Sequence, residues 1–135
     1  VQEEGHYVDG IRQGSTKWFY ADSKLSTETN YVNGAIDGLQ RTYHKNGNVE
    51  TVVNYKNNKR EGTTTEFYDD GRLRMEGQYL NDEGTGAWKE YHQNGKVKQQ
   101  GKFVNGKRNG DWQEFDDTGK KLKTVKYKMG DVLTK

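Results

Sequence analysis

The sequence predicts an all-β protein: a single-layer antiparallel meander of β-hairpins, an open solenoid of 24-residue units. Three observations carry this prediction. Tyr7, Tyr31, Tyr55, Tyr79, Phe103 and Tyr127 recur at intervals of 24 residues, as do Gly14, Gly38, Gly62, Gly86 and Gly110. Phe19, Tyr43, Phe67, Tyr91 and Phe115 keep the same interval, with no insertion or deletion between them. Turn dipeptides (Asn46-Gly47, Asp70-Gly71, Asn94-Gly95, Thr118-Gly119) punctuate the units with residues that tolerate positive φ. Self-similarity at a fixed period is the signature of a repeat architecture.

The elements follow in order when each unit is counted from its leading aromatic. Residues 1–6 match the end of a preceding unit, with Val1 at the position that Leu25, Val49, Leu73 and Val97 hold later. Full units occupy 7–30, 31–54, 55–78, 79–102 and 103–126, and residues 127–135 open a sixth, partial capping unit. Together they make one repeat domain, which starts in mid-repeat, as a trimmed product of a longer polypeptide would. Each unit reads as two strands; in the last full one these are Gly110–Phe115 and Lys121–Tyr127. Asp22-Ser23 is the deviant first turn, and a second turn falls at Asn33-Gly34, Asn57-Asn58, Asn81-Asp82 and Asn105-Gly106. Short strands with two turns per unit give antiparallel hairpins.

Strand alternation suggests two faces. Unit positions 13, 19 and 25 carry Phe/Tyr, Leu/Val and the next leading aromatic, and are expected to form one continuous core stripe. Lys121 stands at position 19 with Leu122 beside it, so a local shift is expected there. Positions 10, 12 and 14 vary from copy to copy and bring Trp18, Tyr20, Tyr68, Trp88, His92 and Trp112 to the other face.

Composition narrows the function classes. The chain of 135 residues is 29% hydrophobic and 31% charged, which alone leans towards disorder. Its 12% aromatic content, nine tyrosines among them, and its 17 glycines without proline indicate instead a thin, surface-rich β protein. With no cysteine there is no disulfide framework, thiolate nucleophile or Cys-based zinc site. No apolar run reaches the ~18 residues of a membrane-spanning helix. A net charge of +2 is too small to indicate nucleic acid. Residues 1–95 hold 11 Lys/Arg against 15 Asp/Glu, whereas residues 96–135 hold 11 against 5, so the C-terminal end is a basic pole.

Residues 79–97, and again 103–119, approximate Tyr-x-Asn-Gly-x-x-x-Gly-x-Trp-x-x-Tyr-x-x-Asn-Gly-x-Val. That pattern resembles the variant MORN repeat, the unit of the bacterial YwqK-type antitoxin family, and the resemblance covers essentially the whole chain. It implies a MORN-like hairpin solenoid used for protein or membrane-surface contacts, with an antitoxin-like role by analogy. This sequence departs from the pattern at Asp22-Ser23, at Asn58 and Asp82, and at Thr16, Gln40 and Thr64, where Trp is expected. The bacterial resemblance and the mid-repeat start favour a cell-envelope or secreted location over the cytoplasm.

Residues able to do chemistry are few. His44 and His92 share one unit position two units apart, roughly 19 Å at ~4.8 Å per strand, far too distant for a shared metal ion. They read as polar substitutes for Tyr20 and Tyr68. Glu66, Glu90 and Glu114 recur at a position that the repeat itself dictates, so they read as structural rather than as a catalytic pair. No Gly-x-Ser-x-Gly elbow or phosphate loop is present. The sequence thus points to a non-enzymatic binding module with no cofactor and no metal. Its expected contact residues are Trp18, Tyr20, Tyr68, Trp88, His92 and Trp112, aromatics that either form an exposed ladder for a protein partner or cover the second side of the single-layer sheet by packing on Lys and Arg stems. The alternatives are an anionic lipid surface or polyanion bound by the basic pole, or a structural segment of a larger envelope protein. The two edge segments, 1–6 and 127–135 with Lys128, Asp131 and Lys135, make an end-to-end dimer available.

Overall fold

A computed structural model describes residues 2–133. The assignments of Val1 to the Leu/Val position and of Lys135 to the terminal cap lie outside the described residues. The chain is all β, with strands β1 (Gln2–Glu4), β2 (Tyr7–Val8), β3 (Ile11–Arg12), β4 (Gly14–Phe19), β5 (Leu25–Val32), β6 (Ala35–Tyr43) and β7 (Val49–Lys56). Then come β8 (Lys59–Phe67), β9 (Leu73–Leu80), β10 (Glu83–Tyr91), β11 (Val97–Val104), β12 (Lys107–Phe115), β13 (Lys121–Lys128) and β14 (Asp131–Val132). Twelve of them form one open antiparallel sheet in chain order, while β2 and β3 pair as a separate small hairpin. Each strand packs on its hydrogen-bonded neighbours in a single layer, as expected for a solenoid of stacked hairpins.

The two turns of each unit differ. At Asn33-Gly34, Asn57-Asn58, Asn81-Asp82 and Asn105-Gly106 both central residues have φ between +49° and +84°. This is a two-residue turn of the kind whose twist matches that of the flanking strands. The other turn closes with Ser23 N–H donating to the Tyr20 carbonyl and Tyr20 N–H to the Lys24 carbonyl, and only its third residue is left-handed. Ser23 adopts φ +71° there, where the other units use glycine.

The expected core stripe is corrected by the register. Across a two-residue turn, directly paired residues have opposite parity: Tyr79 pairs with Gly84, and Tyr91 pairs with Val97 beyond a bulge after Glu90. The leading aromatics therefore share a face with positions 6, 10 and 12 of the following strand, and not with position 13. Trp88 lies edge-on between Tyr79 and Phe103, with both ring centroids 5.3 Å away. Position 13 keeps its neighbour at position 19 on the opposite face, where Phe67, Val49 and Val52 line one shallow hollow. The shift expected at Lys121 does not occur. Lys121 pairs with Phe115 as Val97 pairs with Tyr91, and Leu122 points to solvent at 63% exposure.

No core is enclosed between layers. Among the described residues the least exposed are Thr16, Thr29, Thr64, Gly77, Trp88 and Trp112. Four of these six stand at position 10, which the sequence assigned to the variable face. In units four and five this position is deepest because of what it covers. Gly86, Ala87 and Trp88 lie opposite Gly77 alone, a bulge that Gly86 permits with φ +66°. The indole of Trp88 then lies flat on Gly77, and that of Trp112 lies on Gly101 in the same way. A glycine and a tryptophan thus form one packing unit.

Candidate functional site

The six expected contact residues separate into three places. Tyr20, Tyr68 and His92 stand at the first turn and are already engaged. Tyr20 Oη donates to the Tyr43 carbonyl at 2.6 Å, and Tyr68 Oη to the Tyr91 carbonyl at 2.5 Å. The Nε2–H groups of His44 and His92 donate to the Phe67 and Phe115 carbonyls, each at 2.9 Å. All four reach the same carbonyl of the next unit, so imidazole and phenol act as interchangeable donors that tie one unit to its successor. Asp116 holds that position in unit five and accepts from Thr118 and Lys120 in its own turn.

Trp18 sits near the N-terminal end and is half-buried. The Arg12 guanidinium lies 5.6 Å from its ring, 5.1 Å from that of Tyr7 and 5.4 Å from that of Tyr31. Arg12 is also ion-paired to Glu3 at 2.7 Å.

Trp88 and Trp112 are brought together, joined through Phe103 with centroid distances of 5.3 and 5.1 Å. Of the exposed ladder and the structural cover expected as alternatives, their burial matches cover, since Trp88 is 8% and Trp112 5% exposed. Alternate packing on Gly77 and Gly101 draws both indoles down onto the sheet. Their Nε1–H groups donate to the Thr85 and Lys102 carbonyls at 3.1 and 3.0 Å, so the polar edges are satisfied as well. These indoles floor a groove of about 600 Å³, which Met75, Tyr79, Phe103, Glu66 and Glu90 also line.

Charge around this groove is unevenly matched. Arg60 lies 4.1 Å over the Tyr79 ring and pairs with Asp82 at 3.0 Å. The backbone N–H and then the side chain of Arg60 hold the Asp82 carboxyl below the usual carboxylate range. Arg108 lies 4.2 Å over the Trp112 ring. Of the recurring carboxylates, Glu66 pairs with Arg74 and Glu114 with Lys123, both at 3.1 Å. Glu90 accepts instead from the neutral Gln99 amide at 2.7 Å. Among the described residues no group of three or more His, Cys, Asp or Glu is arranged to hold a metal ion. Arg60 and Met75 were not singled out from sequence, and Glu90 was read there as structural. The signal available for the arginines was their recurrence at position 6, shared with Arg12.

On the opposite face burial, then the Glu76 carboxylate that accepts its hydroxyl, push the Tyr91 phenol up to about 12. A raised phenol pKa favours the neutral folded form. The stabilisation is complete below the unfolded value near 10 and is lost as pH rises towards 12. Melting curves from pH 9 to 12 are thus expected to fall more steeply for the wild type than for Tyr91→Phe. Parallel curves would show that this phenol contributes nothing.

A family model described as MORN repeat variant matches residues 12–33, 36–57, 60–81, 85–105 and 108–129, five consecutive repeats across the chain. No curated protein matches the chain.

Proposed function

The chain belongs to the MORN repeat variant family, whose repeats are generally non-catalytic modules for protein or membrane contact, and from that premise we propose that it is a non-enzymatic module that takes a protein partner into its aromatic groove. The observation that supports this reading is the groove itself. It is a concave site with an apolar floor of Trp88, Tyr79 and Phe103 and charged walls. Buried aromatic floors with polar rims are where interface energy concentrates. An antitoxin would use the same groove to mask a toxic partner.

The test is a displayed-peptide selection against the folded protein. Selected peptides are expected to bind Met75→Glu at least about tenfold more weakly, and to bind Lys98→Glu, on the opposite face, unchanged. Selected peptides that lose affinity only for Lys98→Glu would remove the groove from the account.

One observation favours a second reading. Lys98 and Lys102 alternate with Phe103, and Lys126 and Lys128 with Tyr127, so all four lie on the face opposite the groove. Leu80 and Val104 share that face at 55% and 39% exposure. Such a combination suits an anionic membrane surface. Vesicle binding that falls steeply with salt and is lost in Lys98→Glu would support it.

A further inference from the structure

Unit position 6 repays comparison from copy to copy, since it lies on the aromatic face directly across from the leading aromatic. It carries Arg12, Ile36, Arg60, Gly84 and Arg108. Each of the three arginines lays its guanidinium on aromatic rings of its own unit or the next: Arg12 on Tyr7, Trp18 and Tyr31, Arg60 on Tyr79, Arg108 on Trp112 and Tyr127. Unit four offers the same set of rings as unit five, a leading aromatic, a tryptophan and the next leading aromatic, yet it presents glycine. A Cβ placed on Gly84 would meet the Phe103 ring and Trp88 Cζ2, both at 3.4 Å. The groove opens at that point, and Gly84 is part of its lining. It is therefore the place where the fold's own pattern would lay a guanidinium and where this unit supplies none.

The surrounding charge has the sign such a group requires. Glu83, whose stem crosses Gly106, and Glu90 both line the groove. Neither is ion-paired among the described residues, whereas Glu66, Asp82 and Glu114 each have a cation. An arginine stacked on an indole beside an unpaired carboxylate gains both ring attraction and charge-assisted hydrogen bonds.

We propose that the groove at Gly84 receives an arginine side chain of the protein partner, which completes on Trp88 and Phe103 the stacking that Arg60 and Arg108 provide within the chain. This rests on the groove reading above and names the chemistry that it selects.

Because Gly84 lies outside the left-handed region and its Cβ contacts are ordinary, an arginine can be installed there in cis. The experiment titrates the protein with three acetylated hexapeptides, identical except for arginine, norleucine or glutamate between two leucines, and reads Trp fluorescence and calorimetry. The arginine peptide is expected to bind about tenfold more tightly than the other two. Gly84→Arg is expected to abolish that preference without lowering the melting temperature, and Glu90→Gln to weaken it several-fold. Equal binding of all three peptides, lost in Gly84→Arg, would overturn the arginine assignment and leave the groove reading standing. An arginine preference that survives Gly84→Arg would place the site elsewhere and overturn it too. If no peptide binds, the arginine site falls, and the display selection alone decides the groove reading.

Discussion

Gly101→Val is expected to destabilise the protein by ~3 kcal/mol, between the usual cost of overpacking and that of losing a buried tryptophan. The reason is geometric. A Cβ at Gly101 would lie within the indole of Trp112, which is only 5% exposed and has no other berth. The ring must leave the sheet or the strands must part. For a chain of this length such a loss lowers the melting temperature by about 10 °C. The repeat supplies its own rescue, because Val53 already faces Thr64 in the corresponding place. Gly101→Val combined with Trp112→Thr recreates that pair and is expected to be within about 1 kcal/mol of Trp112→Thr alone, a large coupling for two residues in contact. Denaturant titrations of the four proteins measure it. Additive losses would mean that the glycine and the indole do not form a unit.

Trp88→Ala is expected to cost ~3–5 kcal/mol, as large aromatic truncations at buried sites do. Trp88 loses the glycine surface beneath it and two edge-to-face partners, Tyr79 and Phe103, each worth ~0.5–1.5 kcal/mol beyond area. Trp18→Ala should cost about 1 kcal/mol, because that ring is half-buried and leans chiefly on Arg12. Urea unfolding of the two variants gives the comparison, and equal losses would contradict the placement of Trp88 as the floor of the groove. The same burial decides how binding must be probed. Removing Trp88 removes the floor, so loss of affinity in that variant would report damage to the fold as much as loss of contact. Substitutions at Met75, Gly84 and Glu90 avoid this confusion.

Much of the architecture was legible because it rests on local chemistry repeated at a fixed interval. Asn81-Asp82 and Asn57-Asn58, weaker turn signals than Asn33-Gly34, form two-residue turns of the same kind, since Asn and Asp tolerate left-handed φ. The equivalence of His92 with Tyr68 also followed from position alone, and both proved to donate to corresponding carbonyls. The faces were harder to read. Parity holds along a strand but exchanges across each two-residue turn, so Tyr79 joined Trp88 rather than Tyr91. The depth of Trp88 was illegible from its own position. It depends on Gly77, eleven residues earlier in the preceding unit, and on the bulge that brings Gly86, Ala87 and Trp88 over it. Gly84 carried no signal by itself; it acquires meaning only against Arg60 and Arg108, once those are seen resting on rings.

Hydrogen bonds tie each unit to the next along both turn edges. At one edge a unit gives a side-chain proton to its successor, as Tyr20 does to Tyr43. At the other the exchange is two-way: the Ile36 carbonyl accepts from Asn58 N–H, while Ile36 N–H donates to Asn58 Oδ1. Among the described residues these hydrogen bonds join adjacent units and none skips a unit. A lesion in unit three should loosen units two and four and leave one and five intact. Amide-exchange protection followed unit by unit would then fall over three hairpins, the lesion's own and one on either side.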